Sequence, residues 1–480
     1  MKEETAKIDF RANTRNVSPA MVAATQKSAR TALLKRAEVV SEFGEERWQQ
    51  LRKAGHDLRL HALTHLDSYL AMLEEKVIAA GGQVHWARDA AEANRIVLDI
   101  AAQHSVRNIV KVKSMVSEEI ELNHALEAQG LKAYETDLGE FIVQLAGQRP
   151  SHITAPALHM TKEEISDLFC EKLKVDAQPD PKLLTEIARK LLREEFLNAG
   201  MGISGGNFLV AETGTLVLVT NEGNGRMCTS LPPVHVAVVG IEKVLPDWDS
   251  AAVMLKLLAR SVSGSKITAY NTFITGVREG GPKEFHLVLL DNGRSRILKD
   301  EVARETLLCI RCGACMNTCP VYNQVGGHAY GAVYPGPIGS ILTPQLIGTR
   351  AAGGLAFAST LCGACAEICP VMIPIPEILL HLRRRYVEGD EFESSSATRT
   401  MKAAAKAGRY VMGSPALFRL AGRAGKAFQA PLRSGDWIPD MPAPLDRWTM
   451  SRPFPAFQGD FRKWWRTRAK KNVSVEKSHE

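Results

Sequence analysis

Nowhere along the chain is there a run of about 18 apolar residues, so no transmembrane helix is expected. The opening stretch, MKEETAKIDF, is charged and holds no apolar run ahead of a small-residue cleavage site, which argues against a secretory signal peptide. Neither sign of charge dominates. Sixty Lys and Arg are interspersed among 53 Asp and Glu, and the net charge of +7 gives no support to nucleic-acid binding. Cysteine is scarce, at nine residues in 480, and without a secretory leader such thiols point to metal binding or catalysis rather than disulfides. The expected compartment is the cytoplasm.

What is present is ordinary for a soluble globular protein, with 45% apolar and 24% charged residues, and the length implies two or three domains. Residues 1–65 read as a helical segment, and helical periodicity continues to a stop at Gly81-Gly82. Beyond it the period alternates. QVHWA (83–87) reads as a strand, Asp89 and Glu92 as a helix start, RNIVKV (107–112) as a strand, 118–130 as one helix, and LKAYET (131–136) as a strand. This β-α-β-α-β order implies a parallel sheet with covering helices. Thr161 and Glu164 form a second helix-start signal, and from 201 the texture turns to β, in 207–220, 234–240, 266–274 and 285–291. The expected domains are an α/β unit over 66–298, a cysteine segment over 300–390 and a basic, Pro-containing extension over 391–480.

The cysteines carry the chemistry. CIRCGACMNTCP places Cys309, Cys312, Cys315 and Cys319 before Pro320, the C-x2-C-x2-C-x3-C-P run of two-cluster bacterial ferredoxins. CGACAEICP adds Cys362, Cys365 and Cys369. Three thiolates at short intervals can wrap one iron–sulfur cube. A fourth, four positions further on, points about one helical turn away and reaches a neighbouring cube. Cluster one is therefore expected to take Cys309, Cys312, Cys315 and Cys369, and cluster two Cys319, Cys362 and Cys365, with the clusters on the order of 10 Å apart. Zinc needs four ligands per site, so seven cysteines would leave one of two sites short. Ser359 stands where a complete second motif would carry cysteine. Three readings of cluster two remain open: [4Fe–4S] with a non-cysteine fourth ligand, [3Fe–4S], or ligation by a remote Cys170 or Cys228, each of which reads better as a small buried hydrophobe.

Other features have plainer readings. GMGISGGNF (200–208) and NEGNGR (221–226) read as hairpin turns, because no helix pattern follows the latter. Glu212 reads as a pocket carboxylate or a turn residue, Arg311 as a tuner of cluster potential or a solvated charge, and His152, His159 and His235 as structural. FPAFQGDFRKWWRTRAKK (454–471) would suit a membrane surface or a partner groove, but intramolecular docking of its aromatics is the expectation.

With these residues in view, the chain resembles the lactate utilization protein B family, the iron–sulfur subunit of bacterial L-lactate oxidation. The likeness rests on GISGGNFLVAETGTLVLVTNEGNGR (202–226), LCIRCGACMNTCPVY (308–322), the connector GGHAYGAVYPGPIG (326–339), LCGACAEICPVMIPIPEIL (361–379), and a tail with Trp437, Arg447-Trp448 and FPAF. The resemblance implies an α/β lactate-utilization domain, similar to the NagB/RpiA/CoA-transferase-like fold, followed by an α-helical two-cluster [4Fe–4S] ferredoxin-like domain. It implies electron transfer rather than catalysis by this chain alone. It also implies two partners, a cysteine-rich subunit and a second, smaller lactate-utilization-domain subunit, which together convert L-lactate to pyruvate. In that family the second run likewise carries three cysteines. The alternatives are a ferredoxin-like subunit for another 2-hydroxyacid or glycerol phosphate oxidation, and an acyl- or CoA-type ligand-binding enzyme with structural clusters.

Overall fold

Six short strands set the architecture, the central ones buried and the edge strands partly exposed. They are β1 (Gln83–Ala87), β2 (Asn108–Lys111), β3 (Lys132–Glu135), β4 (Met201–Ser204), β7 (Val234–Gly240) and β10 (Glu284–Leu290). All pair in parallel, in the order β1-β10-β7-β4-β2-β3. Every residue of β7 is buried, as a strand covered on both faces requires. On one face the helix Ala90–Gln103 lays Ala93, Val97 and Ile100 against Ile109, Val236 and Val288. On the other, the helix Leu66–Ala79 lays Leu66, Leu70, Leu73 and Val77 against Leu287, Leu289 and Val239. Leu73 is wholly buried, so Leu73→Ala should cost about 2–5 kcal/mol.

The connections after β2 and β4 run to opposite sides, since β3 lies outside β2 while β7 lies beyond β4. The sheet thus reverses its strand order between β2 and β4, the place where open α/β sheets leave a crevice. A second sheet, in the order β8-β5-β6-β9, holds β5 (Phe208–Val210), β6 (Thr215–Thr220), β8 (Val244–Leu245) and β9 (Tyr270–Ile274). In it β5 and β6 form a hairpin whose turn uses Gly214 at φ +66°.

The computed structural model describes residues 7–262, 264–442, 445–449, 453–457, 461 and 464–468. Residues 1–396 form one compact unit, holding both the sheets and the cysteine segment, and 397–480 form another. Two long helices open the first, Pro19–Phe43, with Ser18 as N-cap and Pro19 in its first turn, and Glu45–Thr64. Asp89 caps its helix through the Glu92 N–H, and Thr161 with Glu164 closes a full capping box.

Four expectations need correction. GMGISGGNF is no hairpin turn: Met201–Ser204 is a strand of the first sheet, and the chain then passes to a strand of the second at Phe208. The single helix over 118–130 is two, Met115–Glu119 and Leu122–Ala128, because Glu121 takes a left-handed conformation between them. NEGNGR opens a helix, Asn224–Ser230, with Gly223 as N-cap; its small polar start carries no apolar periodicity to signal it. The tail aromatics dock only in part: Phe454 is half-buried in a short strand paired with Trp437–Ile438, but Phe457, Phe461, Trp464 and Trp465 are each more than half exposed. Residues 458–460, 462–463 and 469–471 of that stretch lie outside the described residues. Among the described residues, no helix is long and apolar enough to cross a membrane.

Candidate iron–sulfur centre

The two cysteine runs fold as copies of one another, fifty positions apart. Cys312, Cys315 and Cys319 recur as Cys362, Cys365 and Cys369. Arg311 (φ +59°) corresponds to Leu361 (φ +55°), and Gly313 (φ +84°) to Gly363 (φ +85°). Each left-handed pair bends the chain sharply into a one-turn helix, Ala314–Thr318 or Ala364–Ile368, and glycine makes the second bend without Cβ strain. Cys319 then caps the next helix, Pro320–Val325, accepting from the Tyr322 N–H at 3.5 Å. Pro320 is the first residue of that helix, where its missing N–H costs nothing. The parallel reaches Ser359: the Leu361 N–H donates to its Oγ at 3.1 Å, as the Arg311 N–H donates to Cys309 Sγ at 3.4 Å.

The seven sulfurs sort into two electrostatic neighbourhoods. Cys312 and Cys315 feel Cys309 and Cys369, and Cys369 feels Cys309. Cys365 feels Cys319 and Cys362, and Cys319 feels Cys362. Burial first, and then this mutual repulsion, raises Cys312 and Cys315 well above the ordinary thiol range; Cys365 rises to about 12 and Cys369 to about 11. Cys362 is exposed, and hydrogen bonds from the Thr360 side chain and the Ala364 N–H lower it. Buried thiols that repel one another's charge suit a cationic metal core, which would hold them as thiolates. One zinc ion at about 2.3 Å from each sulfur needs all of them within about 4.6 Å of one another. Among the described residues no three cysteine sulfurs lie mutually within 4.8 Å. Seven thiols in groups of four and three are a donor set suited to two iron–sulfur cores.

Cations from three other parts of the chain converge on the first group. From the N-terminal helices, Arg52 donates to the carbonyls of Cys369 (2.9 Å) and Glu367 (2.7 Å), and Arg36 to that of Ile368 (3.4 Å). Arg59, wholly buried, donates to the carbonyls of Leu307 (2.8 Å), Val244 (3.1 Å) and Glu242 (2.5 Å). From the end of β7, Lys243 Nζ reaches the Cys309 carbonyl at 3.2 Å. Burial, and next Arg311, pushes this lysine down to about 7. Arg311 is enclosed rather than solvated, 4.8 Å over the Tyr334 ring and 3.5 Å from Glu242. Arg294 links Glu242 (2.5 Å) to Glu119 (2.8 and 3.0 Å), and the Tyr334 hydroxyl donates to Glu119 at 2.6 Å. Burial alone would raise Glu242, but Arg294, Lys243 and Arg311 bring it down to about 2. This buried network locks the sheet to the cysteine loop. Sequence reasoning missed it, because lone Arg and Glu residues scattered over 36–294 carry no shared spacing.

The remaining candidates lie apart. Cys228 is buried against the Thr136 hydroxyl, and Cys170 pairs with the Ala177 backbone; neither joins the two groups. His152, His159 and His235 are held by local hydrogen bonds, consistent with structural roles. Glu212 is exposed on the β5–β6 turn. A cleft of about 370 Å³ does exist, but elsewhere: Lys113 and Ser114 after β2, Gly205 and Gly206 after β4, Lys243, and Arg311 of the cysteine loop line it.

Residues 70–297 match the LUD domain and residues 305–373 the 4Fe-4S dicluster domain. The chain is 40% identical to "Uncharacterized electron transport protein YkgF" of Escherichia coli K12 over the full length of both. It is 45% identical to "Lactate utilization protein B" of Macrococcus caseolyticus, covering 89% of this chain and 90% of that one. It is 44% identical to the protein of the same name in Bacillus velezensis, covering 94% of each. A LUD domain locked to an iron–sulfur domain, with this identity over almost the whole length, settles the relationship: the chain belongs to the lactate utilization protein B family.

Proposed function

We propose that this chain is the electron-transfer subunit of a complex that oxidises L-lactate to pyruvate, working beside a cysteine-rich subunit and a second LUD-domain subunit in the cytoplasm. The supporting observation is the sorting of seven sulfurs into two groups across the two runs. In this reading Cys309, Cys312, Cys315 and Cys369 hold one [4Fe–4S] cluster, and Cys319, Cys362 and Cys365 hold a second, either [3Fe–4S] or completed by a ligand other than cysteine. Bound there, the clusters supply one-electron carriers for a two-electron oxidation. The chain's own residues do the rest. Arg36, Arg52, Arg59, Lys243 and Arg311 offset thiolate charge, backbone N–H groups donate to sulfur, and burial excludes water; these are the levers that set a potential.

Substituting Cys312 by Ala tests the reading. In anaerobically purified protein, iron should fall by about half, the paramagnetic signal of the first cluster should vanish, and the α/β domain should keep its far-UV dichroism. Lactate-dependent reduction in the reconstituted complex should be abolished; undiminished lactate oxidation by this variant would sink the relay role.

A second reading, ligand binding by the α/β domain, is favoured by the cleft. It sits at the strand-order reversal, and Arg311 forms part of its wall. Calorimetry with pyruvate on wild type and Lys113→Met would detect it, and no heat with either protein would remove it.

A further inference from the structure

The helices Arg399–Gly413 and Pro415–Gln429 contain a single buried residue, Gln429 at the very end of the second. Helices of 15 residues are marginal in water unless an apolar face is covered. These have such a face, and it is bare. Met412 is 73% exposed, Leu420 62% and Phe418 50%, with Met401, Leu417 and Phe428 exposed as well. Isolated exposed side chains need no explanation, but a contiguous set on two successive helices marks an interaction surface.

The charges say what kind of surface. Between 397 and 435 there are eight Lys and Arg and not one Asp or Glu, in a chain whose two signs otherwise nearly balance. In the first helix Arg399, Lys402, Lys406 and Arg409 follow at intervals of three, four and three, and so form one stripe. In the second, Arg419, Arg423 and Lys426 form another stripe, opposite Leu417, Ala421 and Phe428. A protein-binding core would be depleted in lysine and mixed in charge at its rim. Cationic stripes beside aromatic and aliphatic stripes are the pattern of helices that lie in the headgroup layer of a bilayer. Exposed Phe461, Trp464 and Trp465, with Arg466 and Arg468 beside them, continue the same chemistry further along this unit.

We propose that this helical pair docks the protein on an anionic phospholipid surface. The inference is independent of the relay reading, since vesicle binding and cluster reduction are separate measurements. The test is flotation of full-length, anaerobically purified protein with vesicles of phosphatidylglycerol and phosphatidylethanolamine, against vesicles of phosphatidylcholine alone. The protein should rise with the first and stay behind with the second, and binding should weaken about tenfold or more when salt is raised to about 0.5 M. Leu420→Asp should abolish flotation, as should Lys402→Glu combined with Arg419→Glu. Both variants should keep iron content and cluster spectra, because these side chains are exposed. Three results would overturn the proposal: no flotation with phosphatidylglycerol at low salt, equal flotation with phosphatidylcholine, or unchanged flotation of both variants. So would loss of a co-purifying subunit in these variants while wild type ignores vesicles, which would make the face a protein interface.

Discussion

The two cysteine groups are built on one template, yet the chain treats them differently. Around Cys309, Cys312, Cys315 and Cys369 it gathers five cations and the buried network of Glu119, Arg294, Glu242 and Arg311. Around Cys319, Cys362 and Cys365 it leaves Cys362 exposed and replaces a fourth cysteine with Ser359. On that side Arg383 donates to the carbonyls of Ala356 (2.9 Å) and Ser359 (3.3 Å) and stacks over Phe357, itself exposed. Duplicated loops fix where the sulfurs stand; the rest of the chain decides how enclosed and how compensated each group is. The first site is thus enclosed by charged partners, whereas the second, with Cys319 and Cys365 buried, reaches the surface at Cys362.

The largest expected effect breaks this contrast by substitution. Arg294→Met leaves Glu119 and Glu242 buried without their shared cation and should lower stability by about 3–5 kcal/mol. Arg383→Met on the other side removes partly exposed bonds to two carbonyls and should cost about 1 kcal/mol. Denaturant unfolding under anaerobic conditions measures both, and equal losses would show that the two sides are equally embedded. Because Tyr334 and Arg311 touch the same network, Arg294→Met should also shift the midpoint potential of the first cluster while leaving that of the second in place.

A smaller effect separates the sites by reactivity. During slow oxidative loss of iron, the site that includes exposed Cys362 should empty first. At half loss the surviving signal should be that of the first cluster. Cys362 should then take up iodoacetamide ahead of the others, by about tenfold, because it is accessible and its surroundings lower its thiol. Peptide mass spectrometry reads the order directly. Modification of Cys312 or Cys369 before Cys362 would contradict the assignment of inner and outer sites.

These contrasts were unequally legible in the sequence. Cysteine spacing is a covalent pattern, so a grouping into four and three could be proposed before any fold was known. The parallel sheet was legible too, because QVHWA, RNIVKV and LKAYET are short strand-like runs separated by helical periods. What escaped were the features made by distance along the chain. Arg52 and Arg59 look like ordinary charges of a polar helix, yet folding brings them to carbonyls more than 180 residues away. Arg311 could not be told from a solvated charge until Tyr334 and Glu242 closed around it. The break at Glu121 was invisible for a different reason, since a single left-handed residue leaves the apolar period on either side intact.

The finest test of the comparison is Ser359→Cys, which restores the missing element of the repeat. Ser359 occupies the position of Cys309 in sequence and in local hydrogen bonding, and it is half-buried, so the exchange of oxygen for sulfur should leave the fold and stability within about 0.5 kcal/mol of wild type. If the second site lacks only a thiolate, the new sulfur completes it. A [3Fe–4S] signal in wild type should then give way to that of a reducible [4Fe–4S] cluster, with iron content rising by about one atom per chain. The first cluster should be indifferent, since its four sulfurs and five cations are untouched. Should the wild-type signal persist unchanged in this variant, position 359 does not face the cluster, and the likeness of the two loops stops at the backbone. Should both signals change, the two groups are electronically joined more tightly than their separate surroundings suggest, and the division into an inner and an outer site would have to be given up.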